Sequence, residues 1–260
     1  MDGDLLKQYL NGLPVPEIRA FDQIGSTNDE AIRWAAQGAQ DGCLVVADMQ
    51  TQGRGRFNRR WVTRPGVALA FSLILRPTPA EMPYLGLFSP LGALAIGQAL
   101  EKQYNLAPLI KWPNDVLLER KKVAGILVES VWMGEEASSI VVGIGINISP
   151  AAVPPAEELL FPAISVEDVT GQPVDRFAFL SEILRQAFQW RKQLHQLAFI
   201  EEWNRLLAFR GEWVQIKENG GASLTGQVMG VDREGNLLLH GKDGQQHTVV
   251  VGDLHLRLVE

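Results

Sequence analysis

The chain is poor in the residues that several large functional classes require. It has one cysteine, Cys43, so an intramolecular disulfide is excluded and a reducing, cytoplasmic setting is expected. Cys43 sits in an apolar run and reads as a small core residue. Its four histidines, His195, His240, His247 and His255, show no ligand spacing, and no metal site built from the protein alone is expected. No phosphate-binding P-loop is present. Positive charge is also scarce: 24 Lys and Arg stand against 30 Asp and Glu, giving a net charge of −6. With a pI near 5.4, this balance argues against a dedicated DNA- or RNA-binding protein. Asp2 and Asp4 occupy the place of a basic leader, so no secretory signal is visible. The longest apolar stretch, Tyr84 to Leu100, is interrupted by Gly86, Pro90, Gly92 and Gly97 and reads as a buried helix, with no membrane partner expected.

What is present is an ordinary globular composition, 46% hydrophobic and 21% charged over 260 residues, enough for one large core and a small second one. A helix is expected to open at Ser26-Thr27-Asn28, where Thr27 and Glu30 have capping-box spacing, and to stop at Gly38. Strands are expected at Cys43–Ala47, Val67–Leu75, Leu109–Trp112, Val116–Glu119, Val123–Trp132 and Ser139–Ile148. The breaks between the last four are Pro-Asn-Asp, Arg120-Lys121 and Gly134-Glu135-Glu136. A long helix covers Tyr84 to Tyr104, residues 150–162 form a loop, and Asp175 to Phe209 is helical in period with one or two breaks. After Gly211 the pattern changes to short strands with turns at Glu218–Gly221, Asp232–Asn236 and Lys242–Gly244. The expected fold is therefore α+β: a mixed-sheet domain packed with helices over residues 1–209, then an SH3-like β-barrel over residues 210–260.

The densest local signal is Gly53-Arg54-Gly55-Arg56-Phe57-Asn58-Arg59-Arg60-Trp61. Glycine lets backbone approach a ligand closely, and arginine presents forked, permanent cations suited to carboxylate and phosphate. Taken alone, the run fits an anion-binding loop, a solvated basic loop or a nucleic-acid patch equally well. Three further segments accompany it: Lys111-Trp112-Pro113-Asn114-Asp115, Lys122-Val123-Ala124-Gly125-Ile126-Leu127-Val128-Glu129, and Val142-Gly143-Ile144-Gly145-Ile146-Asn147. The glycine pair in the last is no dinucleotide fingerprint, since position 148 is isoleucine and no helix follows promptly.

In order and spacing, together with Ser26-Thr27-Asn28, these segments resemble the biotin protein ligases from about Phe21 to Leu258. The resemblance implies an ATP-dependent ligase that joins biotin to AMP and then passes biotin to a lysine of the biotin carboxyl carrier protein of acetyl-CoA carboxylase. ATP, magnesium arriving with it, and biotin as substrate are implied. It assigns Lys122, Arg56 and Asp115 to catalysis, with Lys122 bridging biotin carboxylate and α-phosphate. Biotin contacts are implied for Ser26, Thr27, Asn28, Gln50, Gly53, Arg54, Gly55, Arg56, Lys122 and Gly125. Nucleotide contacts are implied for Arg54, Arg56, Arg59, Trp61, Asn114, Lys122 and Asn147, with Lys111 less defined. Roughly twenty residues precede the first motif, too few for the helix-turn-helix of the repressor-type members, so no DNA partner is expected. A homodimer through the sheet is left open. The nearest rival is a lipoate or octanoate ligase or transferase of the same fold. The rival from another class is a non-catalytic biotin- or nucleic-acid-binding module.

Overall fold

In the segment Ala68–Leu75 every residue is buried, and alternate side chains serve two different faces. Leu69, Phe71, Leu73 and Leu75 enter the main core, whereas Ile74 joins a smaller cluster on the opposite side. A strand buried on both faces must lie at the centre of a covered sheet. The protein, a computed structural model describing residues 2–133, 136–218, 223–250 and 254–258, is built outward from that strand.

The main sheet has seven strands: β1 (Ile18–Ile24), β2 (Leu44–Gln50), β3 (Ala68–Leu75), β4 (Leu109–Lys111), β5 (Asp115–Leu118), β6 (Lys121–Met133) and β7 (Glu136–Asn147). Their spatial order is β1-β2-β3-β7-β6-β5-β4. Only β1 and β2 run parallel, joined by helix α2 (Thr27–Ala36); the other neighbours are antiparallel. Helix α3 (Phe88–Tyr104) packs on one face, where Gly92 admits Ile126 and Ile144 against its backbone. On the other face α2 packs through Ala31, Trp34 and Ala35 against Val45, Ile74 and Val141. The expected apolar helix is thus a core element: Met82–Tyr104 has the length and composition to cross a membrane, and 67% of an 18-residue window within it is buried in the fold.

Helix α1 (Gly3–Tyr9), α4 (Val166–Thr170), α5 (Arg176–Arg191) and α6 (Leu197–Leu206) complete the first lobe. Strands β8 (Trp213–Glu218), β9 (Ser223–Val231), β10 (Leu237–Gly241), β11 (Gln246–Val249) and β12 (Leu254–Leu258) form a five-stranded antiparallel sheet in the order β11-β10-β9-β8-β12. The turn between β9 and β10 docks on the first lobe. Gly235, at φ 84°, sits so close to Leu87 and Trp203 that a Cβ there would lie 2.9 Å from Leu87 Cδ2, and its carbonyl accepts a hydrogen bond from Trp112 Nε1 at 3.1 Å.

Several expectations need correction. The cap of α2 is Ser26, whose hydroxyl accepts from Asp29 N, and Thr27 is already helical. The long helix begins as a 3-10 turn over Met82–Leu87 before α3 proper. Strand β1 and helices α1 and α4 were not foreseen. The expected turns at 134–136 and 218–221 fall partly outside the described residues.

Trp112 is 1% exposed and lies between the two sheets. Trp112→Phe removes its hydrogen bond to Gly235 and some packing volume. A loss of about 1–3 kcal/mol is expected in urea unfolding. An unchanged midpoint would show that the link carries no stability.

Candidate active site

Glycine fixes where the site can be. Gly125 of β6 pairs with Gly145 of β7, and Leu127 pairs with Gly143. On β3, Ala70 pairs with Gly145 and Ser72 with Gly143. The sheet face opposite α3 is therefore nearly bare of side chains over this patch, and two residues from elsewhere lie in the space. A Cβ on Gly143 would fall 1.9 Å from Asn28 Oδ1, and one on Gly145 would fall 2.4 Å from Cε2 and Nε1 of Trp61. Above the patch is a cavity of about 440 Å³, a size suited to a small-molecule ligand.

At one end, the start of α2 meets the sheet. Gln50 Oε1 accepts from both Thr27 N (2.8 Å) and Thr27 Oγ1 (3.0 Å). Asn28 Nδ2 donates to Glu129 Oε2 at 2.7 Å and to Leu127 O at 3.3 Å. Ser72 Oγ lies 2.8 Å from Thr27 Oγ1 and 2.6 Å from Asn28 Oδ1. Ser26, Thr27, Asn28 and Gln50 all line the cavity and are almost or largely enclosed.

The Gly53–Trp61 segment folds back on itself. Gly55 N donates to Arg59 O (2.7 Å) and Trp61 N to Gly53 O (2.8 Å), with a 3-10 turn at Arg56–Asn58 between. Phe57 takes a left-handed conformation at the tip, φ 60° and ψ 37°, uncommon for a bulky residue. The guanidinium of Arg56 lies 4.8 Å, and that of Arg59 5.7 Å, from the Phe57 ring centre. Arg54 points the other way: it is held bidentately by Asp29 at 2.6 and 2.8 Å and approached by Glu129 at 3.4 Å. Two carboxylates on two elements thus clamp the base of the loop.

At the other end, Lys111 and Asp115 are cross-strand partners of the β4–β5 hairpin, whose three-residue turn contains a cis Trp112–Pro113 peptide. Asp115 lies between two ammonium groups, Lys122 Nζ at 2.6 Å from Oδ1 and Lys111 Nζ at 3.6 Å from Oδ2. Burial pushes the Asp115 carboxyl up, but the Lys122 and Lys111 charges outweigh it and hold the group below the usual carboxylate value. Burial pushes the Lys111 ammonium below its usual value, against the pull of Asp115.

Lys122 reaches the site because β6 is irregular at its start. Val116 pairs with Ala124 but Leu117 pairs with Lys122, so Val123 is an extra residue. That bulge turns Lys122 toward the face that Gly125 occupies, and its Nζ lies 3.0 Å from where a Gly125 Cβ would stand. The backbone of Lys122 is fixed by Lys122 N→Pro162 O (2.7 Å) and Ile164 N→Lys122 O (3.0 Å). The Trp61 ring centre is 5.5 Å from the same ammonium, and the indole Nε1 is buried without a hydrogen-bond partner among the described residues. Asn114 Nδ2 donates to Ile126 O (2.8 Å) and Asn147 Nδ2 to Ile164 O (3.2 Å), so both amides brace the walls they line.

Of the sequence-assigned residues, all except Gly53 line one cavity, and Gly53 pairs with Trp61 just behind it. Sequence reasoning passed over Glu129, Asp29 and Ser72, which hold the lining residues in place, and Phe161, whose ring centre lies 5.0 Å from Lys111 Nζ. Glu129 ends a segment already singled out; Ser72 lies in an apolar strand where a lone hydroxyl was the available signal.

The profile of the Biotin/lipoate A/B protein ligase family matches residues 20–147, and that of the Biotin protein ligase C terminal domain matches residues 210–257. The chain is 39% identical over 231 residues to a biotin–[acetyl-CoA-carboxylase] ligase of Paracoccus denitrificans, covering 85% of this chain and 93% of that one. It is 35% identical to the bifunctional ligase/repressor BirA of Bacillus subtilis over 86% of this chain and 69% of that one. The structure is similar to a biotin protein ligase from Aquifex aeolicus in complex with biotin and ATP, at TM-score 0.80 and 29% identity, covering 94% of this chain and 100% of that one.

Lys111→Met removes one of the two cations beside Asp115, so the Asp115 carboxyl should titrate at higher pH. Because the folded value is depressed, the stabilisation from Asp115 is complete above the unfolded value of about 3.9 and is lost as pH falls through the lower folded value. The substitution narrows that window. Carboxylate NMR of Asp115 reads the shift directly; an unmoved titration would mean that Lys122 alone sets it.

Proposed function

The chain belongs to the biotin/lipoate A/B protein ligase family, and from that premise we propose that it is an ATP-dependent biotin protein ligase acting in the cytoplasm. It activates biotin as biotinoyl-AMP and transfers the biotinoyl group to one lysine of a biotin carboxyl carrier domain of acetyl-CoA carboxylase. In the first step a carboxylate oxygen of biotin attacks the α-phosphorus of ATP and pyrophosphate leaves. In the second, the carrier amine attacks the acyl carbon and AMP leaves.

The observation that carries this reading is the Lys122 ammonium, which stands over the bare strand at Gly125 and against Asp115. Both steps concentrate negative charge on phosphate oxygens, and a fixed cation in a site screened from water stabilises that charge where it develops. Lys122 bridges carboxylate and α-phosphate; Asp115 orients it and accepts the proton of the incoming amine. Thr27, Asn28 and Gln50 supply the polar end that receives the ureido ring. Arg56 and Arg59 close on the phosphates, Trp61 and Asn147 flank the nucleotide, and Arg54 anchors the loop through Asp29. Among the described residues no three His, Cys, Asp or Glu side chains converge as a metal site; magnesium would arrive with ATP and neutralise charge on its phosphates.

The reading divides the chain into a catalytic domain, 1–209, and a C-terminal barrel, 210–260. A lipoate ligase of the same fold is the competing substrate class, and calorimetric titration with biotin and with lipoate separates them. The direct test is incubation with ATP, magnesium, biotin and a carrier domain, read by intact mass. A single biotinoyl addition is expected, and none would sink the reading. Lys122→Ala should lower pyrophosphate release at saturating biotin by about a hundredfold or more, with folding preserved. Near-normal release would remove Lys122 from its role.

A further inference from the structure

At the cavity wall and just behind it, four side chains form a line from Glu129 through Asn28 and Ser72 to Thr27, and Gln50 closes it. Glu129 and Ser72 do not line the cavity. The orientation of the Asn28 amide is fixed by its neighbours. Its nitrogen faces a carboxylate oxygen of Glu129 and the carbonyl of Leu127, both acceptors, so Oδ1 faces Ser72. Ser72 must then spend its one hydrogen on Asn28 Oδ1.

The remaining contacts, Thr27 Oγ1 to Ser72 Oγ at 2.8 Å and Thr27 Oγ1 to Gln50 Oε1 at 3.0 Å, have a single hydrogen between them, that of Thr27. The backbone N–H of Thr27 also reaches Gln50 Oε1, but it lies on the same atom and does not fill the gap between the hydroxyls. One oxygen pair is therefore left facing without a hydrogen, at the wall of the cavity. A ligand N–H arriving there completes the count, whereas a ligand that brings only acceptors or apolar atoms leaves it short.

We propose that Glu129 is a positioning residue that sets this direction and so makes the Thr27–Gln50 end of the cavity selective for ligands bearing an N–H donor. The proposal rests on the reading of the cavity as a biotin site, where the cyclic urea supplies that donor. Without an acceptor-only partner at 129, Asn28 can turn over. Its nitrogen then donates to Ser72, Ser72 to Thr27 and Thr27 to Gln50, so every contact from Asn28 to Gln50 holds a hydrogen at the expense of the longer 3.3 Å bond to Leu127 O, and the demand for a donor from the ligand disappears.

The test compares calorimetric affinities for biotin and for its cyclic carbonate analogue, in which both ring N–H groups are oxygen. The wild-type protein should prefer biotin by roughly a hundredfold or more, as expected of a site whose polar groups are otherwise left unpaired. In Glu129→Gln, whose amide can donate to a turned Asn28, the preference should fall by about tenfold. Ser72→Ala cuts the line in the middle and should give the same fall, and the double variant no further one. Glu101→Gln, which removes a carboxylate paired with Arg205 away from the cavity lining, should keep the wild-type preference. An unchanged preference in Glu129→Gln and Ser72→Ala, or parallel loss of both ligands with a lowered melting temperature, would overturn the proposal. A wild-type protein that binds no biotin would overturn the function reading along with it, whereas wild-type selectivity that survives both substitutions overturns this inference alone.

Discussion

The constraint on which the rest depends is the absence of side chains on one short stretch of sheet. Gly125, Gly143 and Gly145 are neighbours across two strands, and Ala70 and Ser72 continue the patch onto a third. The face that packs on α3 is filled by Ile126 and Ile144, which the same strands supply by alternation. The opposite face must stay low, because Asn28 and Trp61 occupy the space where β-carbons would be. Those two residues bring with them the start of α2 and the end of the arginine loop. The cavity is thus a consequence of strand register: a one-residue slip would bring isoleucines into it and glycines into the core.

Charge is distributed around that floor in two clusters of opposite balance. At one end a single buried carboxylate, Asp115, is flanked by two ammonium groups. At the other, a single guanidinium, Arg54, is flanked by two carboxylates. The first cluster carries a net positive charge. The second spends its positive charge on holding the loop, and Arg54 and Arg56 therefore do different work although they are two residues apart. The acidic surface of the chain as a whole does not contradict an anion-binding site, because the cations are gathered locally on loop and hairpin ends.

The large β elements and the long helix were legible because short apolar runs bounded by Pro-Asn-Asp, Arg-Lys and Pro-rich turns have few other solutions. Strand β1 was not, since its edge position leaves Asp22 and Gln23 exposed and its pattern weak. The cap of α2 was misplaced by one residue because Ser26 and Thr27 are both good capping residues and only geometry separates them. Composite motifs identified the lining side chains. They could not identify what holds those side chains: the bulge at Val123 that turns Lys122, the hydroxyl of Ser72, and the double use of Glu129. Such partners lie 44 to 101 residues away in sequence from the Asn28 they fix. No local pattern encodes a contact of that kind.

Calorimetric titration of Gly143→Ala with biotin tests the role of the bare sheet most directly. The added methyl falls 1.9 Å from Asn28 Oδ1, so Asn28 must leave its contacts with Ser72 and Glu129. Biotin affinity is expected to drop by roughly a hundredfold, since the polar end of the cavity loses its paired partners. An affinity within about twofold of the wild-type value, well under 1.4 kcal/mol, would contradict the claim that the glycine floor holds the site together.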